Sequence, residues 1–472
     1  MHGRRRRGVA PLLKFGVPRF TNTPDSPDGL VRGVGLWGAT ASNMIAMIGV
    51  GPFITIPILL AKMNGPQAIL GWVVGAVVAL CDGMVWAELG AAMPGTGGPV
   101  RFLSEAYGPR TLGRLMNFLF IWQTVFLAPL NLASGAIGFA QYTKFLVGDL
   151  PWWEEKALGV AICALTTWML YRDIRTISKL SVAMWVMVLA TVGWITGAGL
   201  LHFNAHNVLD FPPGAFVPNK AFFYGLGGAT LIAMYDYNGY NNVCSFAGEV
   251  HDPPRVIPRS ILWSVVVVAI LYMTMNIGII SVVPWRDAIR SSAIASDFVQ
   301  RLYGVRTAQV VTVLVLWTTV ASLFAGMLAC SRIPYAAAVE GRFFHVFAKL
   351  HPTRRFPSFS VLFMGAASAL LSLLSLDTVV NALIVIQILI QSMAQVLAVT
   401  MIRRNRPDIH RPYKMPLYPL TSIIAFSGWF FILVASGLEY ILAGLGLLVF
   451  GIATYLRRAP AAGERPFLPD PA

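Results

Sequence analysis

The run Tyr235-Asp236-Tyr237-Asn238-Gly239-Tyr240-Asn241-Asn242 sets a carboxyl group, amides and phenols inside a stretch otherwise apolar enough to cross a bilayer. A helix that reaches Tyr235 and stops exposes its last carbonyls there, and these can receive an ammonium group. The rings of Tyr235 and Tyr237 can gate such a group or stack over it. A second run, Ile48-Gly49-Val50-Gly51-Pro52, lies far upstream in another apolar stretch. Glycine there admits close approach to the backbone, and Pro52 suits the first residue of a new helix. The free N–H groups and positive dipole end of that helix suit a carboxylate. Between the two runs a zwitterion fits, so the partner is a small-molecule amino acid or amine. Asp236, and Asp82 further upstream, are carboxyls at membrane depth, where insertion costs about 3 kcal/mol; each is an amine contact or a proton carrier. The plainer alternatives are a helix-packing notch at the glycines, core packing for either ring, and a helix–helix hydrogen bond for Asp82.

A lipid-exposed backbone must satisfy every N–H and C=O internally, so an interrupted span is tolerated only against protein or a cavity. Two interrupted spans in corresponding halves of a chain point to a transporter site at the bilayer midplane. The composition agrees: 56% of the 472 residues are hydrophobic, 12% are charged, and the mean hydropathy is +0.66. At about 20 apolar residues per crossing, twelve stretches qualify, near 35–61, 66–91, 115–147, 157–171, 179–201, 221–247, 258–284, 307–331, 358–376, 378–402, 417–435 and 438–456. The expected fold is an all-α polytopic membrane protein with spans one and six broken. A tail over 1–33 precedes one transporter domain over 34–456, and a second tail covers 457–472. The domain divides into repeats near 34–201 and 221–402, followed by two helices over 417–456.

The net charge of +15 is topological, because 28 of the 36 Lys and Arg residues fall on one side of the predicted spans. The positive-inside rule then puts both termini in the cytoplasm, and the plasma (inner) membrane is the expected location. Arg4 to Arg7 lack the apolar core of a signal peptide and read as a retained arm near anionic lipid. No nucleic-acid partner is expected. The cysteines Cys81, Cys163, Cys244 and Cys330 are separated in sequence and inside spans, so they read as unpaired core thiols. No metal, no cofactor and no enzymatic constellation of nucleophile and base is expected. Gly33-Val34-Gly35-Leu36-Trp37-Gly38 matches a dinucleotide-binding spacing, but no strand precedes it. No filter-like pore loop argues for a channel.

At these residues the chain resembles the amino acid-polyamine-organocation transporter superfamily. Ile48-Gly49-Val50-Gly51-Pro52-Phe53 is similar to its first-span signature, and Tyr237-Asn238-Gly239-Tyr240-Asn241-Asn242 to its sixth-span break. Ala247-Gly248-Glu249-Val250, Asp252-Pro253-Pro254-Arg255, Ala87-Glu88-Leu89-Gly90 and Glu105-Ala106-Tyr107-Gly108 resemble its cytoplasmic loops. The resemblance implies a LeuT-like inverted repeat of five helices plus five, and alternating access. It also implies that Gly49 to Gly51 bind the substrate carboxylate and Tyr235 to Asn238 its amine, with Tyr235 as gate. Lys179 resembles a lysine that replaces a sodium ion in sodium-independent members. Departures are Val50, where many relatives have Ser or Thr, and Asn241, where some proton-coupled ones have a carboxylate. Pro52 and Asp82 instead resemble the polyamine-transporting branch.

Two readings follow. The first is a sodium-independent carrier of amino acids, cationic ones included. The alternative is a proton-coupled polyamine carrier in which Asp82 and Asp236 together hold a polycation, since a desolvated di- or tri-cation needs at least two carboxylates. Sodium would call on hydroxyls such as Thr318, Thr319 and Ser322; otherwise Lys179, Asp82 and Ser322 are the coupling positions and protons the coupling ion. With no cysteine in an outward loop, no accessory subunit is expected.

Overall fold

The computed structural model describes residues 32–49, 51–95, 98–109, 111–170, 174–339, 341–351 and 356–461, and within them all side chains except those of 174–186, 188 and 461. Most of both predicted tails, and the side chain of Lys179, lie outside that description. The described chain is helical, in the order α1 (Leu36–Met47), α2 (Gly51–Met63), α3 (Ile69–Ala92), α4 (Gly98–Tyr107), α5 (Leu112–Val147), α6 (Trp152–Leu170), α7 (Ile174–Leu201), α8 (Ala205–Val208), α9 (Lys220–Tyr237) and α10 (Pro253–Val282). There follow α11 (Trp285–Ala288), α12 (Ile294–Tyr303), α13 (Val305–Cys330), α14 (Arg332–Val339), α15 (Ser358–Leu371), α16 (Leu376–Gln387), α17 (Gln395–Asn405), α18 (Leu420–Ala435) and α19 (Leu438–Ala461). The only pairing of extended backbone among the described residues is an isolated bridge between Val34 and Val250.

Leu, Val, Ile and Ala fill these helices, and their starts carry local signals: the Asn219 side chain accepts from Phe222 N at the head of α9, and Ser375 from Thr378 N at the head of α16. Among the described residues six helices are long and apolar enough to cross a membrane, or seven when the pair α1 and α2 counts as one span bent by 52°. Shorter apolar helices cover Leu189–Leu201, Ser358–Leu371 and Leu420–Ala435. Each of the twelve expected stretches is helical over much of its length. The stretch 221–247 is helical only to Tyr237; beyond it Gly239 takes φ +122° and the chain continues in short 3-10 turns. At the far end α19 runs to Ala461, past the expected boundary at 456.

The core is formed by α3 packed on α9 and α10, with α5 on α6, α13 and α16. Trp72, Trp86, Tyr237 and Tyr272 are wholly buried. One end is clamped by ion pairs. Glu88, on α3, takes Arg403 Nε at 2.7 Å and Arg403 Nη2 at 2.5 Å, and its Oε2 also accepts from Met415 N at 2.8 Å. Glu105, on α4, takes Arg406 Nη1 at 2.6 Å. The acids of the Ala87-Glu88-Leu89-Gly90 and Glu105-Ala106-Tyr107-Gly108 runs thus tie α3 and α4 to α17 and the chain following it, holding the scaffold around the two interrupted segments.

Candidate functional site

α1 ends at Met47 and α2 begins at Gly51, so backbone groups of both helices are released between them. The Tyr272 hydroxyl donates to Met47 O at 2.8 Å and the Tyr142 hydroxyl to Phe53 O at 2.7 Å, fixing the two helix ends from α10 and α5. The interrupted segment after α9 is tied to α1. Asn242 Nδ2 donates to Ser42 Oγ at 3.1 Å, and Val243 N to Asn43 Oδ1 at 2.9 Å. Gly239 is a contact point between the two: a Cβ there would lie 2.8 Å from the carbonyl carbon of Ala46. Its positive φ and this approach both require glycine.

Between the segments lies a cavity of about 80 Å³. Its walls are Ala46, Met47, Gly49 and Gly51 from the first break and Tyr235, Asp236 and Asn238 from the second. Asn131, Leu132 and Gly135 of α5 and Ser322, Leu323 and Gly326 of α13 close it. Asp236, 2% exposed, is the one charged side chain in this lining. Thr55, in the first turns of α2, donates to Asp236 Oδ2 at 2.6 Å. Among the described residues Oδ1 has no hydrogen-bond partner. It sits against Gly51, where any side chain would collide with it. A carboxylate with one oxygen unpaired, beside a helix N-terminus and facing a cavity, is arranged to meet a cation or a proton.

Tyr235 reaches across the cavity, and its hydroxyl bonds Ser134 Oγ of α5 at 2.7 Å. Asn238 and Gln387 exchange two amide hydrogen bonds, at 3.0 and 3.2 Å, which joins the second break to α16. A methyl group at Gly49 would lie 3.0 Å from Ser322 Oγ, so this hydroxyl faces the first break.

The structure therefore brings together Gly49, Gly51, Tyr235, Asp236, Asn238 and Ser322, and leaves out several residues expected with them. Tyr237 is not in the lining. It is packed edge-on against Trp72 with centroids 5.3 Å apart, and its hydroxyl donates to Trp72 O at 3.3 Å. Ile48 and Gly239 are not in the lining either: Ile48 is buried in the core and Gly239 abuts α1. Val50 and the Lys179 side chain lie outside the described residues. Asp82 is not in this lining. It is enclosed by aromatic partners, accepting from Tyr240 Oη at 2.6 Å and from Trp429 Nε1 at 3.1 Å. The cavity thus holds one of the two acids that the polyamine reading needs. Thr318 and Thr319 donate to Leu314 O and Val315 O of their own helix, each at 2.8 Å.

Sequence reasoning missed Thr55, Asn131, Ser134, Gly135, Leu323, Gly326 and Gln387. Their signal is weak, since a lone Asn, Ser or Gly within an apolar helix is also the ordinary stuff of helix contacts. Only the meeting of α5, α13 and α16 with the two breaks distinguishes them.

Comparison with known proteins follows this geometry. The family model described as amino acid permease matches residues 34–440. The Asc-type amino acid transporter 1 of Mus musculus is 26% identical over 429 residues, covering 89% of this chain and 79% of that protein. The serine/threonine exchanger SteT of Bacillus subtilis is 24% identical over 439 residues, covering 90% of this chain and 97% of its own. The branched-chain amino acid permease BcaP of the same species is 24% identical over 444 residues, with 90% and 92% covered. The spanning helices and this family match together make the protein an integral membrane protein. With its two interrupted helical segments inside the matched region, the chain belongs to the amino acid permease family.

Proposed function

We propose that the protein is a secondary active transporter that moves amino acids across the membrane by alternating access, with the substrate held in the cavity between the two breaks. The cavity carries this reading, because it joins the N-terminus of α2, the C-terminus of α9 and the Asp236 carboxylate within about 80 Å³. The substrate carboxylate faces the backbone at Gly49 to Gly51. Its ammonium faces the last carbonyls of α9, with Asn238 at the edge and Tyr235 as the moving cover. Cationic amino acids fall within the range, since Asp236 offers an unpaired oxygen to a positive side chain. The two halves near 34–201 and 221–402 act as the repeats that rock around the site.

Transport is sodium-independent in this reading, with Thr318 and Thr319 donating to their own helix, and Lys179 takes the role that the family resemblance implies for it. Both termini face the cytoplasm of a plasma-membrane protein that works without an accessory subunit. The test is a thermal-shift screen of purified protein, because a ligand stabilises the state it binds whatever the coupling ion. Amino acids should stabilise the protein while their decarboxylated amines do not. Stabilisation by putrescine or spermidine alone would overturn the proposal. Uptake into proteoliposomes should be equal in sodium and in choline buffer, and sodium stimulation would refute the ion assignment.

A further inference from the structure

The place assigned to the substrate carboxylate is already partly occupied by a carboxylate of the protein. Asp236 Oδ2 is bonded to Thr55 of α2, and Oδ1 lies against Gly51 at the start of that helix. A zwitterion seated in the cavity brings a second carboxylate to the same helix end and only one ammonium to balance the two. Among the described side chains of the lining there is no Lys, Arg or His, that of Lys179 lying outside the described residues. Beside Asp236 lie the ring of Tyr235, which with Oδ1 borders Gly51, and the hydroxyl of Thr55 from α2, whereas the hydroxyls of Tyr237 and of Tyr272 on α10 donate to Trp72 O and Met47 O. From α5 and α13 the cavity receives Asn131 and Ser322, which are uncharged. Lys62, at the far end of α2, is paired with Asp377 at 2.7 Å. Asp82 is held by Tyr240 and Trp429.

A buried charge without a partner is expensive, so the loaded site has to be close to neutral. We infer that Asp236 is a proton site coupled to the class of substrate: a neutral amino acid binds together with one proton on Asp236, and a cationic amino acid binds to the ionised carboxylate without one. Either way the occupied site is neutral, and relative to the ionised empty site it gains one unit of positive charge. The proton comes from solvent and resides on the unpaired Oδ1, where it removes the repulsion between the two carboxylates. A lysine or arginine substrate supplies the same charge from its side chain. The inference rests on the proposed binding of amino acids in this cavity, and it adds the ion that accompanies them.

Isothermal titration calorimetry of the purified full-length protein, in two buffers of different ionisation enthalpy, counts protons exchanged on binding. The probes are L-serine and L-leucine for the neutral class and L-lysine for the cationic class. Above the pH at which Asp236 ionises in the empty protein, about one proton should be taken up per neutral amino acid and none per L-lysine; below it, none should be taken up per neutral amino acid and one released per L-lysine. Above the pH at which Asp236 ionises, affinity for the neutral class should fall about tenfold per pH unit, as single-proton linkage demands. Asp236→Asn should bind the neutral class with no proton uptake and no pH dependence. Thr55→Val serves as a second variant: it removes a hydrogen bond that favours the ionised form, so the pH limit of neutral binding should move upward. Neutral binding by the wild type that shows neither proton uptake nor loss of affinity at any pH up to about 9, or an unmoved pH limit in Thr55→Val, would overturn the inference and leave the proposed function standing. Failure of any amino acid of either class to bind would overturn the proposed function itself.

Discussion

Two aspartates sit in the core of this protein, both almost fully buried, and their surroundings differ. Asp82 has two donors, the phenol of Tyr240 and the indole of Trp429, one on each oxygen. Among the described residues Asp236 has one donor, Thr55, on Oδ2, and its Oδ1 has none. Burial alone therefore does not mark a functional carboxyl. What separates the pair is the unpaired oxygen and the cavity beside it: the surroundings of Asp82 are complete, whereas those of Asp236 are complete only when something else arrives.

The contrast breaks most visibly in stability. Asp82→Ala strands two buried donors at about 1–3 kcal/mol each, so denaturation should show a loss of about 2–6 kcal/mol. Asp236→Asn keeps a partner for Thr55 and removes a charge that lacks one, so its stability should change by less than about 1.5 kcal/mol. Equal losses for the two would erase the distinction.

A smaller effect tests the geometry around Asp236. Gly51→Ala drives a methyl group into Oδ1, and overpacking of about 1–3 kcal/mol corresponds to amino acid binding weakened by roughly 5- to 150-fold, with the fold retained in circular dichroism. Tyr235→Phe removes the 2.7 Å contact with Ser134. At about 0.5–1.5 kcal/mol this should slow uptake by roughly 2- to 10-fold while leaving the proton count on binding unchanged.

The smallest effect belongs to a third kind of carboxyl, outside the spans. Asp210 is bonded by Arg286 and Trp285, and the hydrogen bond from Arg286 holds its carboxyl below the usual carboxylate range. A lowered folded-state pKa means that the contribution is present above the unfolded value of about 3.9 and is lost as pH falls through the folded value. Arg286→Ala should therefore lower stability slightly between pH 5 and pH 7, and its difference from the wild type should shrink as pH falls below about 3.9, where the wild type loses the pair as well.

Much of this was legible from residue order. The apolar stretches, the all-α class and the two places where polar or glycine residues interrupt a span follow from what hydrocarbon permits. Gly49, Gly51, Tyr235, Asp236 and Asn238 could be named because each sits at such an interruption. Asp82 and Tyr237 looked equally eligible, since each is polar and set inside a span. Their exclusion depends on which way a side chain turns, and that is decided by Trp72, Tyr240 and Trp429, distant in sequence. Thr55, Ser134 and Gln387 were hidden for the opposite reason, as each looks unremarkable until the fold places it beside Asp236, Tyr235 or Asn238.

The central claim is that an amino acid occupies the space between the two breaks. A cryo-electron-microscopy map of the purified protein saturated with a stabilising amino acid tests it most directly. The account predicts substrate density between Gly49–Gly51 and Tyr235–Asn238, in contact with Asp236. Density confined to the separate cavity beside Lys62, Arg290 and Asp377, with the space beside Asp236 empty, would contradict it.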